Sequence, residues 1–207
     1  SKDQTALTDV AGSIGPLKHA KSHLKAWMKP ERRGVEFPLG LFGARAQLRF
    51  QPKGVVGVIS PWNFPVNLTF APLAGILAAG NRAMIKPSEF TPATSDLMKR
   101  MFSQAFAEEE IAVVTGGPEV GAAFSGLPFD HLVFTGATSV AHHVMRAAAE
   151  NLVPLTLELG GKSPVVVGRS ADMDKVATRV MAGKTLNAGQ ICLAPDYVLA
   201  PEERVDA

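Results

Sequence analysis

The sequence predicts an α/β fold built on a doubly wound, mainly parallel sheet, followed by the start of a second α/β unit. Three observations lead there. From residue 55 onward, short apolar runs of strand length alternate with segments of helix length, and repeated strand–helix units imply parallel strands joined by right-handed crossovers. The runs themselves, such as "VVGVIS" (55–60) and "HLVFTG" (131–136), lack polar alternation, as expected when helices cover both faces of a sheet. Clusters of Gly, Pro, Ser and Thr punctuate the boundaries.

Residues 4–28 read as mainly helical, with Leu7, Val10, Ile14 and Leu17 at spacings of three and four. Gly15-Pro16 is expected to kink that helix or split it. Residues 32–54 are rich in Gly and Pro and alternate loosely, which suits an extended hairpin or bridging segment. Strand 55–60, helix 66–79, strand 82–87 and helix 92–107 follow. Thr91 can cap the last of these, with Pro92 at its first position. Strand 111–115, a short helix near 119–124, strand 131–136, helix 138–150 and strand 153–159 complete the first unit. After Gly160-Gly161, strand "PVVVG", a helix near 172–184 and strand "DYVLA" begin the second. The expected division is 1–158, containing a bridging hairpin at 35–53, and 159–207.

Of the 207 residues, 46% are hydrophobic and 19% charged, the balance of a folded domain rather than a disordered chain. A formal charge of +2, with no dense basic block beyond "KPERR" (29–33), argues against nucleic acid or an anionic membrane as the main partner. One cysteine cannot close an intramolecular disulfide, so nothing suggests an oxidising compartment, and a cytoplasmic location is expected. The longest apolar run, "LTFAPLAGILAAG" (68–80), is interrupted by Pro72 and Gly75 and falls short of the roughly 18 residues of a membrane span. The chain opens on Ser1 rather than Met and ends at "APEERVDA" just after a strand. It is expected to be part of a longer protein.

Ligands of open α/β sheets bind beyond the carboxyl ends of the strands. Those ends read "SPWNFP", "KPSEF", "TGG", "FTGATS" and "ELGGKSP", and in a parallel sheet they converge on one crevice. The turn "FTGATS" runs from strand into helix, where amide N–H groups and the helix dipole can seat a phosphate; a plain tight turn needing Gly136 is the alternative. Lys86 and Glu89 after another strand could hydrogen-bond the two hydroxyls of a ribose, or simply form a solvated helix entry. A lone cysteine is most often inert and buried, but Cys192 lies between Gly189 and Pro195, where a turn could expose it. His19, His23, His131, His142 and His143 form no Cys/His protease signature, and no Cys/His set has metal-ligand spacing. No metal is expected.

"PWNFP", "KPSE", "FTG", "LELGGKSP" and "GQIC" occur in this order, and together they resemble the aldehyde dehydrogenase superfamily from about residue 35 to the end. "NAGQICLAPDYVL" looks most like its class 3 branch, which acts on fatty and aromatic aldehydes. "LKHAKSHLKAWMKPERR" with "QPKGVVGVISPWNFP" resembles the bacterial coniferyl aldehyde dehydrogenases more specifically. The resemblance implies a Rossmann-like cofactor domain and oxidation of an aldehyde, aromatic such as coniferyl aldehyde or fatty, to the carboxylic acid. The cofactor implied is NAD, with NADP possible.

By the same resemblance Cys192 is the nucleophile and Asn63 the side-chain oxyanion donor, beside the backbone N–H of Cys192. Glu158 is the general base that activates water, and it is expected to face Cys192 across the cleft. Lys86 and Glu89 contact the adenosine ribose. Ser60, Trp62, Thr135 and Gly136 line the cofactor, and Leu159 contacts the carboxamide through its backbone. The family commonly has Ser after "FTG"; Ala137 stands here, so backbone amides must carry more of the pyrophosphate binding. The partner implied is a small aldehyde, in a homodimer or homo-oligomer when full-length. Two other readings compete. A CoA-acylating dehydrogenase would not need the base at Glu158, and the 207-residue chain alone could be a nucleotide-binding fragment without activity.

Overall fold

The computed structural model describes residues 2–205; Ser1, Asp206 and Ala207, at the outer ends of the two expected units, lie outside the described residues. The chain opens with helix α1 (Lys2–Gln4), a π-helical stretch at Thr5–Ala11 and α2 (Gly12–Trp27). A hairpin of β1 (Glu31–Arg33) and β2 (Ala46–Leu48) follows, paired antiparallel as the loose alternation predicts. Next come β3 (Val55–Ile59), α3 (Asn67–Ala78), β4 (Arg82–Lys86), α4 (Pro92–Ala105), β5 (Ile111–Val113) and α5 (Pro118–Ser125). The remainder is β6 (His131–Gly136), α6 (Thr138–Ala149), β7 (Leu155–Leu159), β8 (Ser163–Val166), α7 (Met173–Thr185) and β9 (Pro195–Leu199).

Strands β3 to β7 form one parallel sheet in the order β5-β4-β3-β6-β7. Numbered along the chain, these five strands lie 3-2-1-4-5, the Rossmann order. One core joins Val56, Val58 and Ile85 of the sheet to Leu73 and Ile76 of α3 and Met98 and Phe102 of α4. The other joins Leu132 and Phe134 to Phe124 of α5 and Ala141, Val144 and Ala148 of α6. Two helices therefore cover each face, which explains why the inner strands carry no polar alternation. Leu73, Ile85 and Leu132 are almost fully withdrawn from water. Each contributes about 1.5–3 kcal/mol relative to an exposed side chain, enough to make the sheet the fixed frame for the loops at its ends. β8 and β9 pair parallel in a separate two-stranded sheet.

Two local expectations are corrected. Pro16 does not split the first helix, which runs unbroken from Gly12 to Trp27. The wider π-helical turns of Thr5–Ala11 lie directly before this helix. Thr91 precedes α4, but its side chain makes no capping bond; its hydroxyl lies 3.5 Å from Ser88 O instead.

The residues whose spacing predicts the N-terminal helix are also not those that pack. Leu7, Val10 and Ile14 are exposed, Leu7 by 72%, whereas Asp9, Ser13 and Ala20 are buried. The reason lies in α3. The Asp9 carboxylate accepts from the Asn67 N–H at 2.6 Å, with the Val66 nitrogen at 3.4 Å, and Asn67 Nδ2 donates to Thr8 O at 3.1 Å. Asp9 thus supplies from a distance the acceptor that orphan N–H groups at a helix start require. It fixes the start of α3, directly after "PWNFP".

Candidate active site

All strands of the large sheet run the same way, so the five polar strand ends do share one edge. Chain connections leave β3 toward β4 on one side and reach β6 on the other. The topological switch point therefore lies between β3 and β6, where open α/β sheets bind nucleotides. Ser60, Trp62 and Asn63 follow β3, while Thr135 and Gly136 end β6. Lys86 ends β4, and Glu158 and Leu159 end β7, opposite Thr135 and Gly136 in register.

The individual side chains divide into braces and open groups. Ser60 is buried, with its N–H donating to Lys86 O at 3.2 Å and its hydroxyl 2.7 Å from Thr69 Oγ1. Thr69, 0% exposed, also donates to Pro65 O at 2.7 Å, locking the "PWNFP" loop onto α3. Trp62, by contrast, is 45% exposed. At Gly136 an added Cβ would stand 2.7 Å from the Phe134 ring, so the strand end requires glycine there. Ala137 then starts α6 without any side-chain cap, and Ala137, Thr138 and Ser139 are exposed. Accessible first-turn N–H groups suit an anionic ligand, so this turn and the switch point fit the pyrophosphate of a dinucleotide.

Lys86 is 3% exposed and its ammonium meets Glu89 Oε2 at 2.5 Å. Burial pushes the Glu89 carboxyl up, but the hydrogen bond from Lys86, a backbone hydrogen bond and the lysine charge outweigh it and hold the pKa below the usual carboxylate value. Glu89 is therefore anionic at neutral pH. It remains partly open to solvent at the end of β4, where a ligand hydroxyl can meet it.

Cys192 is exposed, in a turn closed by the Ala194 N–H donating to Ile191 O at 3.0 Å. Before it, Asn187, Ala188 and Gly189 all take left-handed backbone, with φ of 49°, 54° and 77°. Gly and Asn tolerate this region, but an alanine there costs roughly 1–2 kcal/mol. The loop is joined to the "PWNFP" loop by two reciprocal bonds. Asn63 Nδ2 donates to Gln190 O at 2.9 Å, and Asn187 Nδ2 donates to Asn63 O at 3.0 Å. Asn63 and the cysteine loop, 127 positions apart at the Asn63–Gln190 bond, are thereby held together. Asn187 is not among the sequence-derived candidates. Its only signal is the Asn-x-Gly spacing of two residue types that accept left-handed backbone.

Glu158 is exposed on β7. Among the described residues its side chain makes no hydrogen bond or ion pair, either to Gly160-Gly161 or to the cysteine loop. A groove of about 600 Å³ lined by Leu24, Trp27, Met28, Phe50 and Ala79 lies by the C-terminal turn of α3, toward the amino ends of the strands and away from these residues. Among the described residues no group of three or more His, Cys, Asp or Glu is placed to hold a metal, and no helix is long and apolar enough to cross a membrane.

Comparison with known proteins gives a consistent result. The model of the "Aldehyde dehydrogenase family" matches residues 2–207. Over the whole chain, 77% of residues are identical to the "Probable coniferyl aldehyde dehydrogenase" of Caulobacter vibrioides and 62% to the "Coniferyl aldehyde dehydrogenase" of a Pseudomonas species. The chain spans 43% and 42% of the length of these two relatives. Among solved structures, the substrate-bound state of Staphylococcus aureus AldH matches 98% of this chain and 44% of its own, at 42% identity and a TM-score of 0.92. A Mycobacterium tuberculosis aldehyde dehydrogenase complexed with NAD+ matches 98% of this chain and 41% of its own, at 32% identity and a TM-score of 0.86.

Proposed function

Because the chain belongs to the aldehyde dehydrogenase family, we propose that the full-length protein oxidises an aldehyde to its carboxylic acid with NAD(P)+, using Cys192, Asn63 and Glu158. The two amide-to-carbonyl bonds between the Asn63 loop and the Cys192 loop carry this reading. They tie the loop that carries Asn63 to the loop that carries Cys192, which supports a shared role for the two residues.

The Cys192 thiolate attacks the aldehyde carbon and forms a thiohemiacetal. An amide nitrogen carries two hydrogens, so Asn63 Nδ2 can anchor one on Gln190 O and turn the other toward the oxyanion. The backbone N–H of Cys192 is the second donor. NAD(P)+, when bound, supplies the acceptor for the hydride that leaves the carbon, and a thioester remains on Cys192. Glu158 takes a proton from water, whose oxygen attacks the thioester carbon; the thiolate leaves and the acid is released. The exposed Glu158 carboxylate, without a hydrogen-bond or ion-pair partner among the described residues, is available for that task.

Identity of 77% and 62% to proteins named for coniferyl aldehyde supports an aromatic aldehyde as substrate, with fatty aldehydes the second class. The cofactor domain is residues 1–158 and the catalytic domain begins at 159. Val166, Tyr197, Val198 and Leu199 leave the β8–β9 pair exposed, and an isolated two-stranded sheet is marginal in water. Turnover therefore belongs to the full-length protein, as a homodimer or homo-oligomer, and not to these 207 residues alone.

Asn63→Ala in the full-length protein is expected to lower turnover by roughly 10²–10³, the usual loss on deleting one oxyanion donor, with the affinity for NAD+ little changed. Weaker NAD+ binding with unchanged chemistry would instead make Asn63 a cofactor or framework residue.

Glu89 sets a second expectation. Its anionic carboxylate repels a 2′-phosphate, so NAD+ should be preferred while NADP+ is still used. Glu89→Gln removes the charge that opposes the phosphate, shifting the ratio of kcat/KM values toward NADP+. An unchanged ratio would place Glu89 away from the ribose.

A further inference from the structure

We infer that Asn187 is a positioning residue, whose side-chain amide sets the placement of Asn63 relative to Cys192. The inference rests on the roles proposed above for those two residues. Asn187 is half-buried, at the start of the left-handed run that leads into the cysteine turn. Its Nδ2 donates to the backbone carbonyl of Asn63 across 124 positions of sequence. The partner bond, from Asn63 Nδ2 to Gln190 O, uses the side chain of the oxyanion donor itself. Of the two, only the Asn187 bond holds the backbone from which that donor projects.

The backbone conformation adds a reason for the residue type. At φ 49° and ψ 36° Asn187 occupies the left-handed region, which Gly, Asn and Asp enter most readily. Of these three, only asparagine carries a hydrogen-bond donor in its side chain at neutral pH. Asn187 therefore meets two demands together. It turns the chain after α7, and it ties that turn to the loop after β3. Without the tie, the Asn63–Gln190 bond is the one side-chain hydrogen bond left between the two loops among the described residues. A misplacement of about 1 Å at such a site can cost roughly 10²-fold in rate.

The test uses Asn187→Gly and Asn187→Asp in the full-length protein, since both keep the left-handed turn and neither can donate to Asn63 O. Three quantities are read: the rate constant of the first-turnover NADH burst, the rate at which iodoacetamide alkylates Cys192, and the midpoint of thermal unfolding. Alkylation needs the thiolate but no oxyanion donors. The expected result is a burst slowed by roughly 10- to 100-fold in both variants, with alkylation and unfolding close to those of the parent. A parental burst in the glycine variant would overturn the inference, because the backbone conformation alone would then suffice. Alkylation falling in step with the burst would also overturn it, since the whole cysteine loop would have collapsed. A burst that survives Cys192→Ser in the parent would instead remove the nucleophile assignment, whatever the Asn187 variants do.

Discussion

Cys192→Ser in the full-length protein is expected to abolish aldehyde-dependent NADH formation, by about 10⁴-fold or more, while NAD+ binding stays near normal. The loss follows from the two leaving and attacking groups. A thiolate is intrinsically very nucleophilic, whereas a serine hydroxyl needs a dedicated base to attack at all. Among the described residues, the turn from Ile191 to Ala194 offers no histidine hydrogen-bonded to position 192, so a serine there finds no such help. The exposed position of Cys192 makes the substitution nearly neutral for folding, as surface changes usually fall within about 0.5 kcal/mol. Stopped activity together with intact NAD+ binding and an unchanged melting midpoint is the expected pattern. Near-parental turnover by the serine variant would show that the nucleophile is elsewhere.

Much of the frame that carries this chemistry was legible in the sequence because it depends on contiguous residues. Runs such as "VVGVI" and "HLVFTG" are short, apolar and bounded by turn residues, and they appear as β3 and β6. The polar strand ends share an edge for the same reason: parallel strands force them to. The exposed turn at Cys192 followed from flanking Gly189 and Pro195.

What periodicity could not supply were long-range bonds between a side chain and backbone. The packed face of the N-terminal helix is chosen by Asp9 reaching the start of α3, so the apolar stripe of Leu7, Val10 and Ile14 points away from the contact that matters. Asn187 is hidden in the sequence for a related reason. Its significance lies in a bond to Asn63 O that no local pattern announces. Thr91 makes no side-chain capping bond, and its hydroxyl lies 3.5 Å from Ser88 O. The bond between Thr69 and Ser60, nine positions apart, is likewise visible only in the folded geometry.

Glu158→Gln is expected to separate the two half-reactions. Glutamine keeps the size and reach of the side chain but cannot take a proton from water. If Glu158 serves hydrolysis of the thioester, the variant forms NADH once per active site in a burst and then stalls, with steady turnover lowered by roughly 10²–10⁴, the range for loss of a general base. Hydroxylamine or an added thiol should restart turnover, since either attacks the thioester without needing water to be activated. A purely structural role, tying the Gly160-Gly161 turn, predicts lost stability instead. Here the geometry already leans one way: among the described residues the Glu158 side chain is exposed and bonds neither that turn nor any other group, so its replacement should change stability by no more than about 0.5 kcal/mol. The register opposite Thr135, one residue before Leu159, puts Glu158 at the carboxyl end of its strand, the end from which the Asn63 loop also leaves the sheet. If Glu158 additionally takes the thiol proton of Cys192, the burst itself slows in the glutamine variant. Rapid mixing with NADH absorbance separates the cases: a fast burst with a slow steady phase assigns Glu158 to deacylation, a slow burst adds thiol activation, and steady, unimpaired turnover removes the residue from the mechanism.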